Sequence, residues 1–337
     1  MNDWLFTLAA WLADGQPAVL VSVVRTKGST PREAGASMVV SQRATAGTIG
    51  GGHLEWLATG AARELLLQGG VPQLMHLPLG ASLGQCCGGT VWLVLERLTP
   101  QEAPLWHLRA ESVAAGNTLQ RRLVSGDESS LWSLDEDEPL RGAALRFWSD
   151  GGHWQFEQKM VTPRFPVLLF GAGHVGEAIA RALAPLGAQV CWVDDREGAF
   201  PAALPRGITP ISSDTPGAEV RTAPAGSCFL VLTHSHSLDF ELCEAIFARQ
   251  DFAYFGLIGS RTKRASFEHR LLARGLAPAR LADLTCPIGL PGIRSKEPAV
   301  IAASVAAQLL QVRETRLALA RATQPLALPC LLSGARP

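Results

Sequence analysis

None of the seven cysteines forms a Cys-x-x-Cys pair, which argues against a zinc ribbon, and the odd count argues against a disulfide framework. No apolar run reaches the roughly 20 residues that a bilayer span requires. The N-terminus lacks a basic run. Residues Met1 to Asp14, with Trp4, Leu5, Leu8, Trp11 and Leu12 at helical spacing, read as an amphipathic helix rather than a signal peptide. Net charge is missing too: 30 basic and 30 acidic residues sum to zero, and neither sign gathers into long blocks. Nucleic acid and membrane surfaces are therefore poor candidates as partners. No internal repeat is visible. The expectation is a cytoplasmic protein that meets small molecules or other proteins.

What is present is ample apolar material. The 337 residues are 47% hydrophobic and 18% charged, more than one core usually fills, so two domains are expected. The first, residues 1–100, reads as an α/β domain. A buried strand over Pro17 to Val24 leads into the loop Lys27-Gly28-Ser29-Thr30-Pro31-Arg32, a second strand over Ala36 to Ser41, and then Gly47-Thr48-Ile49-Gly50-Gly51-Gly52. Helical spacing runs from His53 to Leu67 and stops at Gly69-Gly70, and Thr90 to Glu96 is a further strand. Residues 101–162 carry weak signals and read as a connector, in which Ala143 to Trp148 and His153 to Phe156 are suited to pair as strands. From 163 to 320 the strands Val167 to Phe170, Gln189 to Val193, Ser227 to Leu232 and Tyr254 to Ile258 alternate with helical stretches, the pattern of a Rossmann-like parallel sheet. A helix over Glu297 to Leu319 precedes a tail, 321–337, that reads as loosely ordered.

Three features of the first domain carry chemistry. Gln85-Cys86-Cys87-Gly88-Gly89 sets adjacent thiols against glycines; a bond between neighbouring cysteines strains the backbone, and the ordinary alternative is two small buried side chains beside a turn. Gly50-Gly51-Gly52 opens a helix, where unpaired N–H groups at the positive end of the helix dipole suit an anion, with His53 and Glu55 in the first turn. Its ordinary alternative is a flexible turn. Arg32 supplies a bidentate anion donor for the same place. Thiols, glycine turn and arginine together describe a site for a phosphorylated, sulfur-seeking ligand, since soft thiolate suits a metal–sulfur centre.

The second domain carries Gly171-Ala172-Gly173-His174-Val175-Gly176 between a strand and a helix, a dinucleotide-binding fingerprint, with Asp194 ending the next strand where a ribose hydroxyl needs an acceptor. Asp194-Asp195-Arg196 leaves NAD and NADP both open, because an acid favours the free hydroxyl and an arginine holds the phosphate. Thr233-His234-Ser235-His236 falls at the carboxyl edge of the sheet, able to bind metal or move protons, or simply to cap its loop. Gly259, Ser260 and Arg261 share that placement and are suited to phosphate, or form an ordinary charged helix start.

Together these segments resemble the XdhC/CoxI family of accessory proteins that mature molybdenum hydroxylases such as xanthine dehydrogenase. The resemblance rests on Gly28 to Arg32, Gly47 to Glu55, Leu83 to Gly89, Gly171 to Gly176, Thr233 to His236, Leu257 to Arg261 and Cys286 to Leu290, and covers roughly residues 15–97 and 165–310. It implies a chaperone, a homodimer needing no turnover of its own, that binds molybdenum cofactor, supports its sulfuration with a cysteine desulfurase and delivers it to the apo xanthine dehydrogenase molybdenum subunit. It implies also that Cys86 or Cys87 contacts the molybdenum while Gly50 to Gly52 and Arg32 hold the pterin phosphate. The stretch Pro291 to Pro298 departs from the family pattern. The alternatives are an NAD(P)-dependent oxidoreductase using His234 or His236 as acid and base, and a nucleotide-sensing regulator.

Overall fold

The computed structural model describes residues 3–80, 88–135, 142–147, 153–160 and 165–323, and the chain divides into two compact units, Met1–Pro163 and Arg164–Pro337. In the first unit, helix α1 (Asp3–Ala13) precedes β1 (Ala18–Lys27), β2 (Ser37–Val40), β3 (Thr45–Gly47), α2 (Gly52–Gln68), β4 (Gln73–Pro78) and β5 (Thr90–Leu98). Helix α3 (Ala103–Ala114) and strands β6 (Thr118–Val124), β7 (Leu131–Asp135), β8 (Gly142–Phe147) and β9 (Trp154–Met160) complete it.

The first five strands form an antiparallel sheet in the order β3-β2-β1-β5-β4. Strand β1 is buried from Ala18 to Val24 because both faces of the sheet are covered, which is why it reads as a continuous apolar run. Val19, Val21 and Val23 pack with Leu54, Ala58, Ala62 and Leu65 of α2. Leu20, on the opposite face, meets Leu5, Leu8 and Leu12 of α1 and Trp106 of α3. Strands β6 to β9 form a second antiparallel sheet, β7-β6-β9-β8, whose Leu123, Trp154 and Phe156 cluster with Val24 and Val94.

The segment read as a connector thus folds as a helix and a four-stranded sheet grouped with residues 1–100. The expected pairing within it forms, β8 against β9 from Gly142↔Lys159 to Phe147↔Trp154. The core of this unit also holds a charge pair that sequence reasoning missed. Arg121, wholly buried, donates to Ser130 Oγ and Ser22 Oγ at 2.8 Å each and to Glu96, whose other oxygen accepts from the Ser130 amide. Such a pair is tolerated in a dry core only because its hydrogen-bonding capacity is met on both sides.

The second unit runs β10 (Pro166–Phe170), α4 (His174–Leu183), β11 (Gln189–Asp194), β12 (Ile208–Ser212), α5 (Pro216–Thr222), β13 (Cys228–Val231), α6 (His236–Phe247), β14 (Tyr254–Leu257), α7 (Arg261–Ala273), β15 (Leu284–Thr285) and α8 (Pro298–Thr323). Its sheet is parallel throughout, in the order β12-β11-β10-β13-β14-β15. The period of two along β10 sends Leu168 and Phe170 to the face covered by α5, α6 and α7, and Val167 and Leu169 to the face covered by α4 and α8. Strand order reverses between β10 and β13, the point at which open α/β sheets place ligands. Helix α8 extends four residues past the expected Leu319, and the tail from 324 lies outside the described residues.

Candidate functional sites

In the first unit the motif loops meet at one end of the five-stranded sheet. Lys27 ends β1 opposite Thr90 at the start of β5, so the Gly28 loop and the Gly88-Gly89 segment are neighbours by register. Their backbones touch: a Cβ on Gly89 would lie 2.3 Å from the Ser29 carbonyl oxygen and 2.7 Å from that of Lys27. Gly89 O also accepts from the Leu79 amide at 2.7 Å, closing the β4–β5 loop. Gly50, at φ 126°, lies on Pro31, where an added Cβ would come within 2.5 Å of Cγ, with Arg32 Cγ at 3.6 Å. Gly28 to Arg32, Gly47 to Glu55 and Gly88-Gly89 therefore converge. Cys86 and Cys87 lie outside the described residues; Gly88, next in the chain, is exposed.

The glycine turn is not open in the way its sequence predicts. The amides of Ile49, Gly50 and Gly51, at 2.9, 3.2 and 2.9 Å, and the Thr48 hydroxyl all donate to Glu55 Oε1. The N–H groups expected to face an incoming anion are taken by the chain's own carboxylate, placed there because Glu55 sits in the first turn of α2. Partial burial raises the Glu55 pKa, but the Thr48 hydroxyl and the Gly51, Ile49 and Gly50 amides outweigh it and hold the group below its usual range. Gly52 and His53 lie beyond this nest, at the start of α2, and Arg32 has no carboxylate partner among the described residues.

Two aromatic groups at this end were not anticipated. His53 stacks on Trp56 at 5.1 Å, and Trp56 is 68% exposed, a large apolar surface for a helix to leave in water. On the opposite face of the sheet, Arg25 lies over the Trp92 ring at 5.0 Å and His76 stacks on the same indole at 4.6 Å. Both lie within a few residues of the glycine motifs. The signal available in the sequence was Trp56, an apolar residue out of phase with Leu54, Ala58, Ala62 and Leu65.

In the second unit the three fingerprint glycines have separate tasks. Gly171 adopts φ 113°, and a Cβ there would lie 2.3 Å from the Leu232 carbonyl oxygen, so only glycine lets the β10 and β13 loops approach. A Cβ on Gly176 would lie 2.1 Å from Gly171 O, the close packing of α4 on its strand. Gly173, the exposed N-cap of α4, has nothing within 4 Å of its Cβ position, leaving clear space before the first amides at His174 and Val175.

Asp194 departs from its expected role as a ribose acceptor. Its side chain is 2% exposed and both oxygens are engaged: Oδ1 accepts from the Arg196 amide at 3.0 Å and Nε at 2.8 Å, Oδ2 from Arg196 Nη2 at 3.0 Å and the Ala172 amide. Burial alone would raise its pKa, yet these donors bring it to about 2. Arg196 itself is 49% exposed.

The histidine motif is divided. His234 Nδ1 lies 3.8 Å from Asp195 Oδ1, while His236 is exposed at the start of α6, which Ser235 caps by accepting from the Leu238 amide. Thr233 donates through its amide and hydroxyl to buried Asp239, at 3.0 and 2.7 Å, and Asp239 pairs with Lys263. Lys263 also donates to the Ile258 carbonyl, and its stem fills the space beside Gly259. Thus Thr233, Gly259 and the Ser260 cap of α7 are tied by one buried ion pair, and Arg261 is exposed beside them. Among the described residues no group of three or more His, Cys, Asp or Glu side chains is placed to hold a metal ion. Burial pushes up the thiols of Cys191, Cys243 and Cys286, and that of Cys228 to about 12, so none ionises near neutral pH. No helix among these residues is long and apolar enough to cross a membrane.

Comparison with known proteins follows this division. Residues 11–77 match the XdhC and CoxI family, and residues 167–309 match the XdhC Rossmann domain. The chain is 30% identical over 228 residues to the uncharacterized protein YqeB of Escherichia coli (strain K12), covering 64% of this chain and 41% of that one. It therefore spans well under half the length of that relative. It is 26% identical over 339 residues to a probable xanthine dehydrogenase subunit of Bacillus subtilis (strain 168), covering 93% and 98% of the two chains. Its fold is similar to that in the crystal structure of a xanthine dehydrogenase from Bacillus halodurans, with a TM-score of 0.70, 22% identity, and coverage of 96% and 98%. With one family region on the glycine loops of the first unit and the other on the parallel sheet of the second, the chain belongs to the XdhC and CoxI family.

Proposed function

We propose that this protein is an accessory factor for xanthine dehydrogenase or a related molybdenum hydroxylase, and that it binds molybdenum cofactor, supports its sulfuration and inserts it into the apo-enzyme. The observation that carries this reading is the convergence of Gly28 to Arg32, Gly47 to Glu55 and Gly88-Gly89 at one end of a sheet. Cys86 and Cys87 precede Gly88 in the sequence, and their thiolates are the soft ligands that suit a metal–sulfur centre. The fit to a pterin phosphate is altered by Glu55, which occupies the Ile49 to Gly51 amides. The phosphate then belongs with Arg32 and the start of α2 at Gly52 and His53, outside the nest. The exposed Trp56 is a surface for a flat heterocycle. A homodimer and a cysteine desulfurase partner complete the reading, and the similarity to a protein named as part of a xanthine dehydrogenase supports its target.

The test is anaerobic co-purification with molybdenum cofactor, scored by metal content and pterin fluorescence. Cofactor carried by the wild type and lost from the Cys86→Ala/Cys87→Ala variant is expected. No cofactor in the wild type, or equal retention in the variant, overturns the assignment. The oxidoreductase alternative draws on the glycine turn at Gly171 to Gly176, and substrate-dependent oxidation of NADH or NADPH would count for it.

A further inference from the structure

We propose that the second unit binds a 2′-phosphorylated adenine dinucleotide, NADP(H), in preference to NAD(H), and that Arg196 sets the choice. The inference goes beyond the molybdenum reading and stands on the second unit alone.

Access to the glycine turn comes first. The sheet order places Gly171 to Gly176 where strand order reverses, and the three glycines divide their work as a bound pyrophosphate requires. Gly171 and Gly176 are needed by the protein's own backbone. Gly173 is not: its φ of −87° suits any residue, and no protein atom lies near its Cβ position. Empty space at that one glycine, ahead of a 10-residue helix with no side-chain cap, is room for phosphate oxygens to reach the amides.

The adenosine ribose then meets the end of the second strand. An NAD-selective site presents a free carboxylate there to accept from the 2′-hydroxyl. Here that carboxylate is Asp194, and it is spent. Four donors, three from Arg196 and one from Ala172, use both oxygens, and the side chain is almost wholly out of contact with solvent. What the strand end presents instead is the guanidinium. Nε and Nη2 are fixed on Asp194, which leaves Nη1 pointing its donors elsewhere on a group that is 49% exposed. A guanidinium held in one orientation is suited to a phosphate monoester and has nothing to accept from a free hydroxyl. Ser212, exposed and opposite Asp194 in register at the end of β12, places a hydroxyl at the same edge. The neighbouring acid, Asp195, lies 3.8 Å from His234 Nδ1, and its charge also acts on Arg196.

The experiment is calorimetric titration of the full-length protein with NADPH and NADH, and with 2′,5′-ADP against ADP as fragments. NADPH is expected to bind at least about tenfold more tightly than NADH, with 2′,5′-ADP showing the same preference over ADP. In Arg196→Ala the preference should vanish, and NADH should gain affinity because Asp194 is released to accept from the ribose. Arg196→Lys should retain part of the preference, which a merely structural role for Arg196 would not give. NADH binding as tightly as NADPH, no binding of either, or a preference that survives in Arg196→Ala would overturn the proposal. The fragment comparison needs no variant, so a variant that fails to fold does not shelter the idea.

Discussion

Replacing Glu55 by alanine tests whether the glycine turn is held together by its own carboxylate. The substitution removes the shared acceptor of the Ile49, Gly50 and Gly51 amides and the Thr48 hydroxyl. Charge-assisted hydrogen bonds contribute about 1.5–3 kcal/mol each when buried, and neutral ones about 0.5–1.5. Glu55 is only partly buried, so water replaces much of what is lost, and about 0.5 kcal/mol per donor, roughly 2 kcal/mol in all, is the reasoned loss. For a unit of this size that corresponds to a fall of about 4–8 °C in Tm, measured by near-ultraviolet circular dichroism. Glu55→Gln should fall in between, keeping an oxygen but losing its charge. The folded-state pKa lies below the usual carboxylate value, so the charge contribution is complete above that value and disappears as pH falls through the folded one. The gap between wild type and Glu55→Gln should therefore close on acidification. An unchanged Tm in Glu55→Ala at pH 7, or a gap that persists below the carboxylate range, would mean that the Glu55 carboxylate does not hold the turn together.

Glu96→Ala should cost about 3–5 kcal/mol in urea unfolding, because it leaves Arg121 charged and uncompensated in the core, whereas Glu96→Leu/Arg121→Met should recover much of that loss. Gly176→Ala should destabilise by about 3 kcal/mol or prevent folding, since its Cβ would collide with Gly171 O, while Gly173→Ala should keep the wild-type Tm and weaken nucleotide binding alone. Equal thermal shifts in the two glycine variants would count against the division of labour among them.

The strands that sequence reading placed most directly in the second unit are those buried on both sides. Val167 to Phe170, Gln189 to Val193, Ser227 to Leu232 and Tyr254 to Ile258 stand out because both faces of the parallel sheet are covered and no polar residue interrupts them. Strand β12 escaped notice because it lies at the sheet edge, mostly exposed, with Pro210 in its middle, a residue that edges tolerate. Strand β6 was hidden differently: Leu119, Arg121 and Leu123 share its inward face, and an arginine there breaks the apolar alternation. At the candidate sites, residue types were legible and their occupancy was not. Gly50, Gly51 and Asp194 were found, but Glu55 and Arg196 engage them through side-chain rotamers that no periodicity encodes. The Cys86-Cys87 expectation lies outside the described residues.

The register of β1 against β5 has a consequence for how the protein comes into being. Ala18 pairs with Leu98 and Lys27 with Thr90, so the central contact of the first sheet joins segments separated by most of the unit's first hundred residues. Contacts of that span form slowly, and during synthesis β1 waits without its principal neighbour until β5 has left the ribosome. Gly28 and Gly89 flank the last rung of this ladder, so their backbone contact exists only once the strands have zipped to the end. A nascent or partly unfolded chain thus has no way to assemble these loops, and any ligand that depends on them distinguishes the finished molecule from an unfinished one.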